Sequence, residues 1–334
     1  MTPRHPNDHR FSSLFMLATL VLGITVWGAL PRRSALASEI FIGSEAPGSF
    51  AHHAARVICR AINRSGDDLK CQVLSAPNGV HNLTNLHSGS LDLALLDSRL
   101  LHEALTRGGQ FAFLDIQYKN FGTLVPLYQD PITLIARADA EIGNLGQLKG
   151  KRINAGITHS ATRLAVETIL EAKSWTQRDF DVVQELPASL SQDTLAFCHG
   201  SIQAMVHIGV HPDAKLQHLL EICEAVPVNM DDSDVSAMLG ERPDLVPIQI
   251  PAHTYPAWDQ PVTTFGTTVF LMASESMDAE TVQAIMGALQ QNQEMIRQAH
   301  PALGSFNVSA ELNPDIGIPR QAGTAEYLKT LEKP

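Results

Sequence analysis

The chain has 334 residues, of which 44% are hydrophobic and 18% are charged, and its formal net charge is −11 at pH 7. This acidic balance offers no basic patch to a polyanion, so it argues against nucleic acid as a partner. The length is sufficient to bury a large core and is typical of a chain that divides into two lobes.

Residues 1–37 have the layout of a secretory signal peptide. Two arginines precede the apolar run 11–30, and the segment 35–37, Ala-Leu-Ala, supplies a cleavage site. The alternative is an uncleaved membrane anchor, because the run is nearly long enough to span a bilayer. Cleavage would leave 20 basic and 34 acidic residues, a net charge of −14. We expect a soluble periplasmic protein, with an N-terminally anchored form as the alternative.

Four cysteines follow this segment: Cys59, Cys71, Cys198 and Cys223. An even number of cysteines in an exported chain favours disulfides, and three connectivities are possible. The simplest joins the two close pairs, Cys59 with Cys71 and Cys198 with Cys223. The chain lacks a short Cys-x-x-Cys spacing, so the cysteines do not indicate a zinc site.

Apolar runs alternate with helical periodicity along the first half of the chain. The patterns predict strands that are each followed by a helix, with strands at 38–43, 70–75 and 91–96 and helices at 50–64, 80–88 and 100–106. Two further strands, 121–127 and 132–137, are predicted on either side of the segment 128–131.

A second, similar series follows. It comprises strands at 152–156, 202–208 and 262–273, helices at 145–148, 160–173, 190–199, 213–223 and 279–300, and a closing helix after a loop at 314–319. Alternating strands and helices are typical of mostly parallel sheets with right-handed crossovers. Two such series predict two α/β lobes, with the C-terminal helices packed on the first lobe. The natural ligand site is then the cleft between the lobes.

Three predicted strands run into a short Gly/Ser/Asn turn and then into a helix, in the segments 40–49, 73–82 and 153–162. Each turn places free backbone N–H groups and small hydroxyls at a helix N-terminus, where the helix dipole favours anions. Because such turns follow the carboxyl ends of strands, three of them indicate one shared cleft that binds a small anion.

Short motifs in a fixed order resemble the TAXI class of solute receptors of tripartite ATP-independent periplasmic (TRAP) transporters, over residues 40–327. The matching segments are 43–51, 78–83, 89–94, 127–131, 148–153, 156–163, 200–204, 209–212 and 250–256. The most specific of them is the last, Ile-Pro-Ala-His-Thr-Tyr-Pro. The chain departs from the family in the third loop, where His159 and Ala161 stand in place of glycines.

The resemblance implies an α/β, type II-like periplasmic binding protein fold with two lobes, each a mostly parallel sheet flanked by helices. We expect lobe 1 to comprise 38–130 and 275–334 and lobe 2 to comprise 131–274, with a hinge near 128–131. The implied function is capture of a small organic carboxylate or amino acid, such as glutamate or a dicarboxylate. A monomer would then deliver the ligand to TRAP membrane subunits.

We predict substrate-binding residues in the three loops and at neighbouring strand ends: Ser44, Gly48, Ser49, Phe50, Asn78, Gly79, Asn82, Asp97, Ser98, His159, Ser160, Ala161, Thr162, His207 and Gly209. Ser49 on one lobe, with Ser160 and Thr162 on the other, would clamp a carboxylate between two helix N-termini. The alternative is that Ser49 and Ser160 are ordinary N-caps.

Other candidates also have two interpretations. Asp97 would bind an ammonium group, which favours an amino acid over a keto acid, or it would cap the helix that follows. Asn82 would donate to a ligand or cap its own helix. His159 and His207 lie on cleft-edge segments and would supply a cation to an anion.

The sequence offers little support for metal binding or catalysis. His52 and His53 are adjacent on a helix and so cannot share a face, and the spacing of His207 and His211 in a strand and loop does not converge. The chain lacks a nucleophile elbow, a Walker loop and a His-Glu-x-x-His motif. We therefore predict no metal, no cofactor and no enzymatic activity, with a ligand-sensing domain of the same fold as the alternative function.

Overall fold

The computed structural model describes residues 38–66, 68–187, 192–313 and 315–332. The predicted signal peptide, 1–37, lies outside the described residues. Within the described ranges, no helix combines the length and the hydropathy that crossing a bilayer would require.

The described residues contain ten strands and ten α-helices. The strands β1–β10 are Ser38–Ser44, Leu69–Ser75, Leu93–Asp97, Phe121–Arg137, Arg152–Asn154, Val182–Gln184, Ala204–Ile208, Ala225–Val228, Val246–Ile250 and Val262–Ser274. The helices α1–α10 are Phe50–Arg64, Gly79–Ser88, Ser98–Thr106, Ala161–Ala172, Gln192–Cys198, Ala214–Ile222, Ser233–Glu241, Ala279–Gln291, Gln293–Ala299 and Ala322–Leu331.

Hydrogen bonds join the strands in the order β2-β1-β3-β10-β4-β7-β5-β6, with β8 paired to β4 and β9 paired to β10. The outer strands are parallel, β1 to β2 and β3, and β5 to β6 and β7. These pairs are the strand–helix–strand units that the alternating pattern predicts. The long strands β4 and β10 pair antiparallel with each other and with their other neighbours, so the sheet as a whole is mixed.

The two strands predicted at 121–127 and 132–137 are in fact one continuous strand, β4, which pairs with β10 from Phe121 to Ile132 and with β7 and β8 beyond that point. The prediction was wrong because Pro131 normally interrupts a strand, having no N–H to donate. Here Gly266 stands opposite Pro131, and a Cβ atom at Gly266 would lie 2.2 Å from the Asp130 carbonyl oxygen. The missing side chain therefore allows the two backbones to approach closely at this point.

Other elements also differ from the expectation. The predicted helix 279–300 is two helices, α8 and α9, separated at Asn292. The amide of Asn292 donates to the carbonyl of Ala61 and to the hydroxyl of Ser65, which ties this break to α1. The strands β8 and β9 and helix α7 lie between 225 and 250, where no element was predicted.

Both disulfides of the simplest connectivity are present. Cys59 bonds to Cys71, which joins α1 to β2, and their Cα atoms are 5.0 Å apart. Cys198 bonds to Cys223, which joins the ends of α5 and α6, with Cα atoms 4.8 Å apart. The second disulfide therefore links two helices through cysteines that are 25 residues apart in the sequence.

The buried apolar side chains form separate cores at the two ends of β4 and β10. Near one end, Ile42 and Leu271 pack with Ile58 of α1 and Ile285 of α8. Near the other end, side chains of β5, β7 and α4 form a core with Leu134 and Phe265. This arrangement suits two lobes joined by the long strands; the exact bounds of the lobes remain a prediction.

Candidate functional site

A cavity of about 840 Å³ lies between the carboxyl ends of β1, β3 and β7 and the first turns of α1, α4 and α6. A second cavity of about 290 Å³ shares part of the same lining. The residues common to both are Glu45, Gly79, Asp97, Leu100, Asp130, Ala161 and Ile208. We call the two cavities together the cleft.

The first predicted loop reaches the cleft through Gly48, Ser49 and Phe50. Ser49 is the N-cap of α1, and its hydroxyl oxygen accepts a hydrogen bond from the His52 N–H at 3.1 Å. Ser49 therefore caps the helix and also lines the cleft, and its contact with a ligand stays a prediction. Gly48 has φ of 96°, a left-handed conformation that favours glycine.

The second and third loops also reach the cleft. Asn78 caps α2 through its side-chain oxygen and lines the smaller cavity, and Gly79 follows it in the lining of both. Ala161 and Thr162 open α4 and line the larger cavity, whereas His159 lines the smaller one. All three loops therefore contribute to one cleft, as their positions after strand ends predict.

Four predicted residues lie outside the lining: Ser44, Asn82, Ser98 and Ser160. The buried hydroxyl of Ser98 donates to the Asp244 carbonyl at 2.6 Å and accepts from the Thr268 N–H. Ser160 caps α4 by accepting from the Arg163 N–H. Adjacent residues point to opposite sides where a strand becomes a helix, so Asp97 reaches the cleft while Ser98 enters the core.

The side chains of Ser44 and Asn82 are also buried. The hydroxyl of Ser44 lies 3.0 Å from His52 Nδ1 and is buried at the end of β1. Asn82 is one turn into α2, and its buried amide nitrogen has no hydrogen-bond partner among the described residues. Asn78 takes the capping position at this helix, so Asn82 does not cap it.

His207 and Gly209 line the cleft at the end of β7. Burial lowers the pKa of His207, with Asp213 opposing the shift, so the ring is neutral at pH 7. Its Nε2 atom is buried without a hydrogen-bond partner among the described residues. His207 therefore lacks the positive charge that the sequence suggested for it.

The sequence interpretation named Asp97 as a candidate for an ammonium group but missed two further carboxylates of the cleft, Glu45 and Asp130. Glu45, Asp97 and Asp130 each line both cavities. Burial raises the pKa of Asp130 to about 7, and the negative charges of Asp97 and Glu45 add to the effect. Burial together with Asp97 also raises the pKa of Glu45. Asp97 therefore lies close enough to both Glu45 and Asp130 to oppose their ionisation.

Tyr128 lies among these carboxylates. Its side chain is only 6% exposed and lines the larger cavity, with its ring edge-on to Phe50 at 4.8 Å between centroids. Its hydroxyl makes no hydrogen bond within the described part of the chain. Burial raises its pKa well above the ordinary value, with nearby carboxylates adding to the shift, so the phenol is protonated at neutral pH.

The basic side chains of the cleft lie at its rim. Lys215 and His218 line the larger cavity from α6, and both are exposed. Arg99 lines the smaller cavity, but its guanidinium already donates to Glu103 at 3.1 Å. The described residues contain no group of three or more His, Cys, Asp or Glu side chains arranged to hold a metal ion.

Solved structures of other proteins have a similar architecture. The structure is similar to a TctC solute binding protein from Polaromonas, with a TM-score of 0.56 and 15% identity over 89% of this chain and 98% of that chain. It is also similar to the alkanesulfonate-binding protein SsuA from Xanthomonas axonopodis pv. citri, bound to MOPS, with a TM-score of 0.45 and 17% identity over 89% of this chain and 85% of that one. The periplasmic aliphatic sulphonate binding protein SsuA from Escherichia coli gives a TM-score of 0.48 at 14% identity, over 87% of this chain and 78% of that one.

The similarity to the Polaromonas protein confirms the predicted α/β fold with two lobes. At 15% identity it bears on the fold alone. The sequence itself places the chain in a family. A family model described as the NMT1-like family matches residues 46–330, which include the second and third loops, the end of the first, and every cleft-lining residue apart from Glu45. The chain therefore belongs to the NMT1-like family.

Proposed function

We propose that this protein is the periplasmic solute receptor of a TAXI-type TRAP transporter, which captures a small amino acid in the cleft and delivers it to the membrane subunits. The observation that carries the proposal is the convergence of loops from both cores on one cavity of about 840 Å³. A cavity of this size is typical of small-molecule sites. The order of the TAXI-like motifs, several of which form the cleft, supports the choice of transporter class.

The cleft favours an amino acid over a dicarboxylate. The first N–H groups of α1 and α4 lack partners within their helices, and the first residues of both helices line the cavity, where such groups suit a carboxylate. Asp97 and Asp130 suit an ammonium group on the same ligand. A second ligand carboxylate would meet this acidic wall, and like charges in a buried site repel.

The test is ligand binding to the mature chain, residues 38–334, as a monomer. Thermal melting against a panel of amino acids, organic acids and amines would identify ligands, because a ligand that binds the native state raises Tm. Mass spectrometry of the protein as purified would identify any ligand that accompanies it. A panel that leaves Tm unchanged throughout would overturn the proposed capture of a small solute.

A matched pair of variants localises the binding. Ala161 and Ser233 are both exposed first residues of helices, but only Ala161 lines the cleft. Ala161→Trp should abolish the ligand-dependent rise in Tm, whereas Ser233→Trp should retain it. Delivery is tested by uptake into vesicles that carry TRAP membrane subunits, which should require this protein.

A further inference from the structure

Three carboxylates meet at the boundary between the two cavities of the cleft. Glu45 lies on the loop after β1, Asp97 at the end of β3 and Asp130 in the middle of β4, so three different strands supply them. All three residues line both cavities; Asp97 and Asp130 are half-buried there, and Glu45 is exposed. A ligand in either cavity would therefore contact this group.

The protein supplies no counter-charge to two of these carboxylates. Within the described ranges, the side chains of Glu45 and Asp130 make no hydrogen bond and no ion pair. Asp97 accepts one hydrogen bond, from the Leu100 N–H that it caps. Glu45 is exposed, but Asp130 is half-buried, and partial burial of a carboxylate without a partner costs free energy. An arriving cation would therefore be stabilised beside Asp130.

Tyr128 provides an independent observation at the same place. The side chain of Tyr128 is only 6% exposed and lines the larger cavity, and its hydroxyl makes no hydrogen bond to the described residues. The phenol oxygen can accept a hydrogen bond from a donor in the cavity. The aromatic rings of Tyr128 and Phe50 add faces that attract cations.

The opposite wall does not balance this charge. Asp193 and Asp213 line it from α5 and the loop before α6, and His207 is held neutral by burial. The basic groups that line the larger cavity, Lys215 and His218, are exposed. The enclosed part of the cleft therefore carries an excess of negative charge.

Resting on the proposed function, we propose that Glu45, Asp97, Asp130 and Tyr128 form an ammonium site and that the ligand is an aliphatic amine with a net positive charge. A basic amino acid and a diamine share this chemistry. A basic amino acid also carries a carboxylate that the helix N-termini could bind, whereas a diamine carries none. A glutamate-like ligand, which the family resemblance suggested, would leave these carboxylates uncompensated.

The experiment compares four probes on the mature protein by titration calorimetry at about pH 8. L-lysine and cadaverine carry the proposed charge, norleucine matches lysine in length without the side-chain ammonium, and glutamate reverses the side-chain charge. We expect lysine or cadaverine to bind at least about 10-fold more tightly than norleucine, and glutamate not to bind. Tighter binding of lysine than of cadaverine would identify a basic amino acid, and the reverse a diamine.

Two variants assign the effect to the site. Asp130→Asn should weaken binding of the cationic probe at least about 30-fold, because the partner charge is lost in an enclosed site. Tyr128→Phe should weaken it by about 3-fold to 10-fold. Asp259→Asn is the matched control, since Asp259 is exposed and lies outside the cleft, and it should change nothing.

The outcomes separate the two proposals. Tighter binding of glutamate or norleucine than of the cations, or full affinity in Asp130→Asn, would overturn the ammonium site and leave solute capture intact. Failure of every solute in the wider panel would overturn both. Circular dichroism of Asp130→Asn excludes misfolding as a cause of lost binding, and Tyr128→Phe gives a second, isosteric check.

Discussion

Gly266 of β10 and Asp130 of β4 face each other so closely that a Cβ atom on Gly266 would lie 2.2 Å from the Asp130 carbonyl oxygen. Real Cβ atoms do not approach backbone oxygens at this distance, so any side chain at Gly266 must move β4. The glycine thus sets the position of a strand whose side chains form the acidic wall of the cleft.

Gly266→Ala should therefore lower the free energy of unfolding by about 1 to 3 kcal/mol and also weaken ligand binding, because it displaces Asp130. Chemical denaturation and calorimetry measure the two effects. Gly240→Ala is the control: no atom lies within 4 Å of the added Cβ, and Gly240 is inside helix α7. It should raise the free energy of unfolding by about 0.5 to 1 kcal/mol and leave binding unchanged. Equal effects of the two substitutions would contradict the proposed role of Gly266.

The stability of the ligand-free protein should depend on pH through Asp130. Burial raises its pKa to about 7 in the folded protein, against 3.8 for an unperturbed aspartate, so the native state binds more protons than the unfolded state between these pH values. Stability from this group therefore falls as pH rises from about 4 to about 7, by at most about 1.4 kcal/mol per pH unit. The lowered pKa values of His207 and His211 act in the opposite direction below about pH 6.5.

Asp130→Asn isolates this contribution. The variant should be more stable than the parent at pH 8 without ligand, and the difference should shrink as pH falls to about 4. Urea denaturation across this pH range measures both curves. Parallel curves would show that Asp130 ionises in the native state as freely as in the unfolded chain.

Affinity for a cationic ligand should rise with pH, since the ligand prefers the ionised form of Asp130. The expected increase is up to about 10-fold per pH unit below pH 7, levelling off above it. The ionisable side chains that line the cleft with Asp130 are Glu45, Asp97, Arg99, Tyr128, His159, Asp193, His207, Asp213, Lys215 and His218. Calorimetry from pH 5.5 to 8.5 should give a steep profile for the parent and a shallower one for Asp130→Asn.

The disulfide between Cys198 and Cys223 should affect both stability and binding. It closes a separation of 25 residues, and its loss should cost about 3 to 4 kcal/mol by the chain-entropy argument. It also joins the ends of α5 and α6, both of which line the cleft. The double substitution Cys198→Ser, Cys223→Ser should therefore weaken ligand binding as well as lower Tm.

The Cys59–Cys71 pair is the matched control for that experiment. It joins α1 to β2 away from the cleft lining, with a separation of 12 residues. Its double serine variant should lower Tm and retain the affinity of the parent. Loss of affinity in this variant, or full affinity in the other, would contradict the assignment.

Local features of the cleft could be predicted because they depend on neighbouring residues. Ser49, Asn78, Asp97 and Ser160 each precede a periodic helix, and each caps it in the structure. Capping requires only the residue and the next turn, so the sequence alone identifies it. The order of strands and helices could be predicted for the same reason.

The charge of the cleft could not be predicted in this way. Glu45, Asp97 and Asp130 are separated by 52 and 33 positions, and each is an ordinary loop or strand residue in its own segment. Only the pairing of β3 with β10, and of β10 with β4, brings Asp97 and Asp130 to the same wall. The continuous course of β4 was missed as well, because the effect of Pro131 depends on Gly266, 135 positions away.

The antiparallel ladder between β4 and β10 has one more consequence. It extends from Phe265 opposite Ile132 to Ser274 opposite Phe121. Its register shifts twice, between Val269 and Phe270 and between Leu271 and Met272. We expect any turning of the two cores against each other to bend both strands near these shifts, and the nearer shift lies two residues along β10 from Thr267, the partner of Asp130. Because a side chain near a pivot moves least, we expect Asp130 to keep its position if the two cores turn, and the opposite wall of the cleft to move more.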